Sequence, residues 1–360
     1  MPQPAGAVSG PQTLDRATAL RIEFLRITLI AGIVVLHTPP TWLLESLPPE
    51  AHPWPGVIKL FFEYGPLRAG LPVLSLISGY LLFLRPYRSY PSLIRRKLAT
   101  LVIPFLIWNA LVIALHALRG QNDLAPFEQA AADPVSWLTT LGVFLDGPPN
   151  YPTYFLIDLF ALAALSPLIG AFLRRAPVAT LLAGGVAAAV GYAPVPLVRP
   201  DVALPFMAGA AAAIHRIDPR LLDRYVWPLL IGFLLISLAF VAALAVEVSV
   251  PLSLGLVRMT GVPALWALSA VLAPTMLGRR LAGLSGLAFV LFCAHSPALH
   301  LLAGIWPENA GYWLFYAAAA PLVVLAVLMA TAALRRWGGG VLYLLTGARS
   351  GRQVRQAKET

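Results

Sequence analysis

Two side chains suited to chemistry, Arg26 and His37, lie in the first apolar stretch of the sequence. Ten uncharged residues, ITLIAGIVVL, separate them. Eleven steps along an α-helix rise about 16 Å and end about 20° from three full turns, so both side chains project from the same face. An imidazole in an apolar helix is costly unless it faces protein or a water-filled cavity, which indicates a functional site. Neutral histidine, with a reference pKa of about 6.5, is also suited to accept a proton near neutral pH.

The composition places this stretch in a membrane protein. Of the 360 residues, 59% are hydrophobic and 12% are charged, and the mean hydropathy is +0.77; average soluble domains carry about 25% charged residues. The net charge of +10 comes from short basic clusters between apolar stretches, as in cytoplasmic loops and not as in a nucleic-acid-binding surface. Such clusters favour membrane lipids and anionic cytosolic ligands as partners. The single cysteine, Cys293, excludes an internal disulfide framework.

Apolar stretches long enough to cross a hydrocarbon core predict an all-α fold, a polytopic membrane bundle of about ten transmembrane helices. The predicted spans are 22–40, 59–84, 98–118, 153–173, 177–194, 201–215, 226–246, 256–277, 284–304 and 311–333. Basic residues cluster in every second connection, which by the positive-inside rule places both termini in the cytoplasm. We therefore predict a flexible cytoplasmic N-terminus (1–19), a membrane domain (20–334) and a basic cytoplasmic tail (335–360).

Four stretches of the chain together resemble the acyltransferase-3 family, integral membrane enzymes that O-acylate carbohydrates and some small molecules. Arg26 and His37 match its hallmark, a basic residue and a histidine with ten residues between them. GLPVLSLISGYLLF (70–83) resembles the second helix of the family, and LIRRKLATLVIPFLIWN (93–109) resembles its basic loop and the helix that follows. LAFVLFCAHSPALHLL (287–302) resembles its late helix, in which a histidine precedes a proline. The resemblance extends over about residues 20 to 334 and implies an acyltransferase.

The chain departs from the family pattern in three places. Family members commonly carry an aspartate two or three residues before the arginine, whereas the nearest acidic residue here is Glu23. The basic loop usually has two arginines three residues apart, whereas Arg95, Arg96 and Lys97 are adjacent here. PTYF (152–155) lacks the histidine of the corresponding His-Leu-Trp-Phe-like run. These departures concern how the donor is held and which acceptor is bound.

The predicted catalytic residues follow from the chemistry of acyl transfer. A base must remove the proton of the acceptor hydroxyl as its oxygen attacks a thioester, and we assign this role to His37; a covalent acyl-histidine relay is a less favoured variant. A simple helix cap is the structural alternative for this histidine. On the same helix face, Arg26 is predicted to bind a donor phosphate or to hold the helix by an ion pair.

The basic cluster Arg95, Arg96 and Lys97 is the predicted binding site for the polyanionic coenzyme A. A signal for membrane topology alone explains these three residues equally well. Acyl-CoA, in particular acetyl-CoA, is expected as a co-substrate. We predict no permanently bound cofactor and no metal site.

Four further residues are predicted to contact substrate: His295, Tyr80, Ser78 and Asp158. Each also has a structural interpretation. Pro297 has no backbone N–H and leaves a helix carbonyl without its usual partner, and His295 can donate a hydrogen bond to that carbonyl. Close packing of small residues between helices explains Ser78. A carboxylate within a span needs a partner, so an ion pair or hydrogen bond is favoured for Asp158, with His37 as one conceivable partner.

The sequence therefore predicts a multi-pass enzyme that transfers an acyl group, acetyl, from cytosolic acyl-CoA to a hydroxyl. The resemblance implies a carbohydrate or glycolipid acceptor, such as a surface polysaccharide or a lipid-linked sugar, and a bacterial inner (plasma) membrane; no nucleic acid is expected as a partner. The alternative is a secondary transporter or flippase for a glycan or organic anion, with His37 as a proton relay. A third interpretation, a non-catalytic membrane subunit, predicts no dependence on His37. The acceptor, the acyl chain and the oligomeric state are left open.

Overall fold

The part of the chain that the structure describes is entirely helical, which confirms the predicted all-α class. The computed structural model describes residues 14–38, 53–85, 87, 89–120, 140–142, 144–190, 198–245, 253–307 and 312–347. In chain order its helices are α1 (Arg16–Leu36), α2 (Pro53–Tyr64), α3 (Gly70–Leu84), α4 (Tyr90–Lys97), α5 (Ile103–Ala117), α6 (Tyr154–Ala164), α7 (Ser166–Arg175), α8 (Pro177–Ala189), α9 (Pro200–Ile214), α10 (Val226–Ala245), α11 (Ser253–Leu272), α12 (Met276–Ala282), α13 (Ala288–Ile305), α14 (Tyr312–Trp337) and α15 (Gly339–Thr346). Short 3-10 turns lie at Pro66–Ala69, Tyr151–Thr153, Asp223–Tyr225 and Ser285–Leu287, and a π-helical turn, Leu98–Val102, joins α4 to α5.

Several helices are long and apolar enough to cross a membrane, so the chain is a multi-pass integral membrane protein. Among the described residues there are six such segments: Ile58–Leu84, Tyr90–Ala117, Asp223–Leu244, Leu254–Leu272, Met276–Ile305 and Trp313–Trp337. The pair α6 and α7, bent by 61°, makes seven if it is one span. The remaining predicted spans correspond to α1, which carries three charges in its apolar part, and to α8 and α9, which have only 13 and 15 residues. Ten crossings and cytoplasmic termini stay predictions.

Helix α1 lies at the centre of the bundle and packs against α3, α11, α12, α13 and α14. It begins after Asp15, whose side chain accepts hydrogen bonds from the backbone N–H groups of Ala17 and Thr18 at 3.0 Å and so caps the N-terminus. Hydrogen bonds from Thr18 lower the pKa of this Asp15 carboxyl group. At the other end, the helix stops at His37, whose backbone N–H still donates to the carbonyl of Ile33 at 3.1 Å. The packing on several sides fixes the direction in which each α1 side chain points.

One buried arginine, Arg21, connects the N-terminal part of α1 to α11 and to the 3-10 turn Asp223–Tyr225. Arg21 donates from Nε to the hydroxyl of Ser269 at 2.9 Å and from Nη1 to the carboxylate of Asp223 at 2.9 and 3.1 Å. Its Nη2 donates to the carbonyl of Trp266 at 2.7 Å, and the guanidinium lies 4.6 Å from the centre of that indole ring. Because all three guanidinium nitrogens have partners, this buried arginine is structural.

Helices α3 and α9 pack closely against each other and meet at glycines. A Cβ added at Gly79 would overlap the carbonyl oxygen of Phe206, and one added at Gly209 would overlap the carbonyl oxygen of Leu76. The hydroxyl of Ser75 also donates across the pair to the carbonyl of Val202 at 2.6 Å. Small residues of this kind let backbones approach within a membrane, and this contact holds the short α9 in the bundle.

We expect Gly79→Ala to destabilise the fold, because the added methyl must push two helix backbones apart. Overpacking of this kind costs about 1–3 kcal/mol. The matched control is Gly232→Ala in α10, where an added Cβ has nothing within 4 Å and alanine gains about 1 kcal/mol of helix propensity. Reversible unfolding of the purified protein in mixed micelles measures both free energies. Equal stabilities of the two variants would contradict the close α3–α9 contact.

Candidate active site

Two of the predicted site residues, His37 and His295, are in direct contact. The Nδ1 atom of His37 lies 3.2 Å from Nε2 of His295, and the ring centres are 5.2 Å apart. His295, in α13, is fully buried, whereas His37 is partly buried. The imidazole at the end of α1 therefore faces a protein side chain inside the bundle.

One pattern of protons lets each hydrogen bond of the histidine pair form, with the Nδ1–H of His37 shared between two acceptors. Nδ1 of His37 lies 2.9 Å from the carbonyl of Ile33, and Nδ1 of His295 lies 3.2 Å from the carbonyl of Leu291. A carbonyl only accepts, so both Nδ1 atoms carry hydrogen. Nε2 of a neutral His295 is then an acceptor for the Nδ1–H of His37. By this assignment from the hydrogen-bond network, Nε2 of a neutral His37 is unprotonated.

A buried amide network, which the sequence interpretation missed, supports α13 next to the histidine pair. Asn150 donates from Nδ2 to the carbonyl of Cys293 at 2.9 Å, two residues before His295. Its backbone N–H donates to Oδ1 of Asn109 at 2.9 Å, and Nδ2 of Asn109 donates to the hydroxyl of Thr153 at 3.0 Å. The signal in the sequence was an asparagine at position 109 inside an apolar span, which needs partners in the bundle.

Arg26 is exposed on α1, although that helix is otherwise largely enclosed. Among the described residues, no carboxylate lies within ion-pair distance of its guanidinium; the six ion pairs that the described residues form all involve other side chains. Helix geometry places it about 16 Å below His37 along the axis and on nearly the same face. The ion pair that was its predicted alternative is therefore not formed among the described residues, and anion binding by Arg26 stays a prediction.

The basic cluster Arg95, Arg96 and Lys97 forms the last turn of α4. Arg95 and Arg96 are exposed. Helix α4 packs mainly against α6 and the π-helical turn, while α1 packs against other helices. This basic cluster therefore lies on a different helix from Arg26, and these two helices are not main packing partners.

Tyr80 and Ser78 lie away from the histidine pair. The hydroxyl of Ser78 donates within α3 to the carbonyl of Leu74 at 2.8 Å. Tyr80 lines an apolar cavity of about 370 Å³ together with Asp218 and Trp266. Because Arg21 stacks on the same Trp266, this cavity lies at the N-terminal end of α1, opposite the end that carries the histidine pair.

The buried carboxylate of Asp158 pairs with Arg199 and not with His37. Nη1 of Arg199 donates to the two carboxylate oxygens of Asp158 at 3.1 and 3.3 Å. Nη2 of the same arginine donates to Oδ1 of Asp146 at 2.8 Å, and the guanidinium lies 3.8 Å from the ring centre of Tyr154. An ion pair within the bundle was the favoured interpretation of Asp158. Its partner could not be predicted, because Arg199 lies in a connection outside the predicted spans.

Comparison with known proteins identifies the family of the chain. Residues 20–332, which include all the site residues discussed above, match the acyltransferase-3 family model, described as an acyltransferase domain. The chain is also 33% identical over 360 residues to the succinoglycan biosynthesis protein ExoH of Rhizobium meliloti (strain 1021), with 94% of each chain covered. No solved structure matches the chain. The chain therefore belongs to the acyltransferase-3 family and is a membrane acyltransferase.

Proposed function

We propose that this enzyme transfers an acyl group, acetyl, from cytosolic acyl-CoA to a hydroxyl of a surface polysaccharide or of its lipid-linked precursor. The observation that carries the proposal is the hydrogen bond between His37 and His295, which leaves Nε2 of a neutral His37 free of a proton. Similarity to a succinoglycan biosynthesis protein supports a carbohydrate acceptor. Because the chain belongs to an acyltransferase family, we favour acyl transfer over the alternative of a transporter.

In the proposed reaction, His37 acts as the general base. The acceptor hydroxyl gives its proton to Nε2 as its oxygen attacks the thioester carbonyl, and a C–O bond forms. The tetrahedral intermediate then collapses, the C–S bond breaks and the CoA sulfur takes the proton back from the imidazolium. During the reaction, the Nδ1–H of His37 donates to the carbonyl of Ile33 and to Nε2 of His295, which stabilises the transient cation.

His295 is a positioning residue in this mechanism, since it acts through His37. It holds the tautomer and the orientation of the base, as a carboxylate does in other histidine-dependent enzymes. A neutral ring in this place adds no permanent charge to a membrane-embedded site, where a buried ion is expensive unless it is paired. Its own Nδ1–H is bound to the carbonyl of Leu291, so it is held ready to accept.

Arg26 is proposed to bind a phosphate of acyl-CoA. Its guanidinium is exposed and has no carboxylate partner among the described residues, and arginine binds phosphate by two parallel hydrogen bonds. With the predicted topology, this end of α1 faces the cytosol and the pantetheine arm follows the helix towards His37. The exposed Arg95 and Arg96 attract the polyanion over a longer range.

We expect His37→Ala to lower kcat for acyl transfer about 10²- to 10⁴-fold, the usual contribution of a general base. The purified protein in lipid nanodiscs is given labelled acetyl-CoA and a panel of oligosaccharides, and free CoA and the labelled ester are measured. His300→Ala is the matched control, because His300 lies on the same helix as His295 but contacts Ser296 and His116. Undiminished transfer by His37→Ala would remove the mechanism.

The protonation pattern of the pair is testable without substrate. In histidine-labelled protein at pH 8, the 15N signals of His37 and His295 should both show the Nδ1–H tautomer, because both Nδ1 atoms face carbonyls. His295→Ala removes one of the two acceptors of the Nδ1–H of His37 and should raise the population of the other tautomer. A His37 signal typical of Nε2–H in the wild type would refute the assignment of the base.

For Arg26→Gln we expect a rise of about 10-fold or more in KM for acetyl-CoA, since a charge-assisted hydrogen bond is lost. KM for the acceptor should stay unchanged, because the two substrates are bound at different ends of α1. Arg16→Gln is the control, as Arg16 is an exposed arginine in the first turn of the same helix. An equal effect on KM for both substrates would argue against donor binding.

A further inference from the structure

An arginine that the sequence interpretation passed over, Arg68, lies at the end of α1 that carries His37. It belongs to the 3-10 turn Pro66–Ala69, which packs against α1. A Cβ added at Gly32 of α1 would lie 3.1 Å from the side chain of Leu67, the neighbour of this arginine. A Cβ added at Gly70, directly after this turn, would lie 3.6 Å from the side chain of Ile33, whose carbonyl binds Nδ1 of His37. Arg68 is therefore part of the surroundings of the base.

The guanidinium of Arg68 is oriented by the protein but is not neutralised by it. Nε donates to the backbone carbonyl of Glu63 at 2.7 Å, and the group lies 5.1 Å from the ring centre of Tyr64. The Glu63 carboxylate itself pairs with Lys59 at 2.9 Å. Among the described residues, the two terminal nitrogens of Arg68 have neither a hydrogen-bond acceptor nor an ion-pair partner. They form a fork of the kind that binds an oxyanion with two hydrogen bonds.

Two other partly buried arginines, unlike Arg68, have carboxylate partners. Arg258 of α11, the helix against which the turn of Arg68 packs, donates to the carboxylate of Asp201 at 2.8 Å. Arg199 has two carboxylate partners, Asp158 and Asp146. Arg68 is thus a half-buried cation that forms no ion pair with any described residue. Partial burial of such a charge is unfavourable until an anion compensates it.

We propose that Arg68 binds a carboxylate of the substrates that meet at His37 and so makes the enzyme selective for an anionic substrate. A single unpaired guanidinium matches the charge and the two oxygens of one carboxylate. The carboxylate belongs to the acceptor glycan or, where a dicarboxylic acyl group takes the place of acetyl, to the far end of that acyl group. This inference rests on the proposed function, and it concerns a site separate from Arg26, which lies about three helical turns away.

The test compares four substrate combinations with the full-length enzyme in nanodiscs. Acetyl-CoA or glutaryl-CoA, a dicarboxylic half-thioester, is combined with a neutral or a carboxylated oligosaccharide, and kcat/KM is measured for each pair. The wild type should prefer at least one carboxylate-bearing combination over the neutral one by about 10-fold or more. The combination that shows the preference identifies whether acceptor or acyl group carries the carboxylate. Absence of any preference in the wild type overturns the proposal, whether or not variants fold.

Variants of Arg68 give the second part of the test. Arg68→Gln should lower kcat/KM for the preferred combination about 10- to 100-fold, the effect of losing hydrogen bonds to a charged group, and leave the neutral combination within about twofold. Arg68→Lys should restore part of the preference, because the charge is kept and the fork is lost. An equal loss for all four combinations overturns the proposal and leaves the function of His37 intact. Full activity of His37→Ala would instead remove the proposed function itself.

Discussion

The hydrogen bond between His37 and His295 joins two residues that are 258 positions apart in the chain and is the contact on which the site depends. It requires the end of α1 and the middle of α13 to stay in one register, because a shift of either helix by about 1 Å would break it. The packing of α1 on several sides keeps its end in place. The hydrogen bond from the side-chain amide of Asn150 to the backbone carbonyl of Cys293 does the same for α13. In return, the pair gives both nitrogens of the buried His295 a hydrogen-bond partner without placing a net charge in the membrane.

The arginines of the bundle divide into two groups by what neutralises them. Arg21 and Arg199 have full sets of protein partners, and each ties together elements that are distant in the chain. Arg26 and Arg68 have no carboxylate partner among the described residues; Arg26 lies about three turns from His37 along α1, and the turn of Arg68 packs at the end of α1 that carries His37. A guanidinium keeps its charge in any protein environment, so we propose that these two arginines bind anions. In this proposal, structural and substrate-binding arginines differ in their partners and not in their burial.

Local periodicity was sufficient to predict the helices and the shared face of Arg26 and His37, because helix geometry alone relates residues eleven positions apart. The partner of His37 could not be predicted in this way, since contacts between distant helices depend on packing that no local pattern records. The same reason accounts for Asp158, whose partner Arg199 lies in a connection, and for Tyr80, which lies at the other end of the bundle. The length of an apolar stretch shows only whether a helix is long enough to cross a membrane. The position of the short α9 in the bundle depends instead on its glycine contacts with α3.

A neutral histidine pair also determines what the rest of the site has to supply. In the proposed reaction, proton transfer creates an imidazolium at His37 and a negative oxygen on the tetrahedral intermediate at the same time. These opposite charges are adjacent in a medium of low dielectric constant, so they stabilise each other. A carboxylate in the place of His295 would instead hold a negative charge beside the base in every step and would compete with the intermediate for the cation. Because the dyad balances its own charges, the positive charge of Arg68 is left for the substrate, and selectivity can change there without a change in the chemistry at His37.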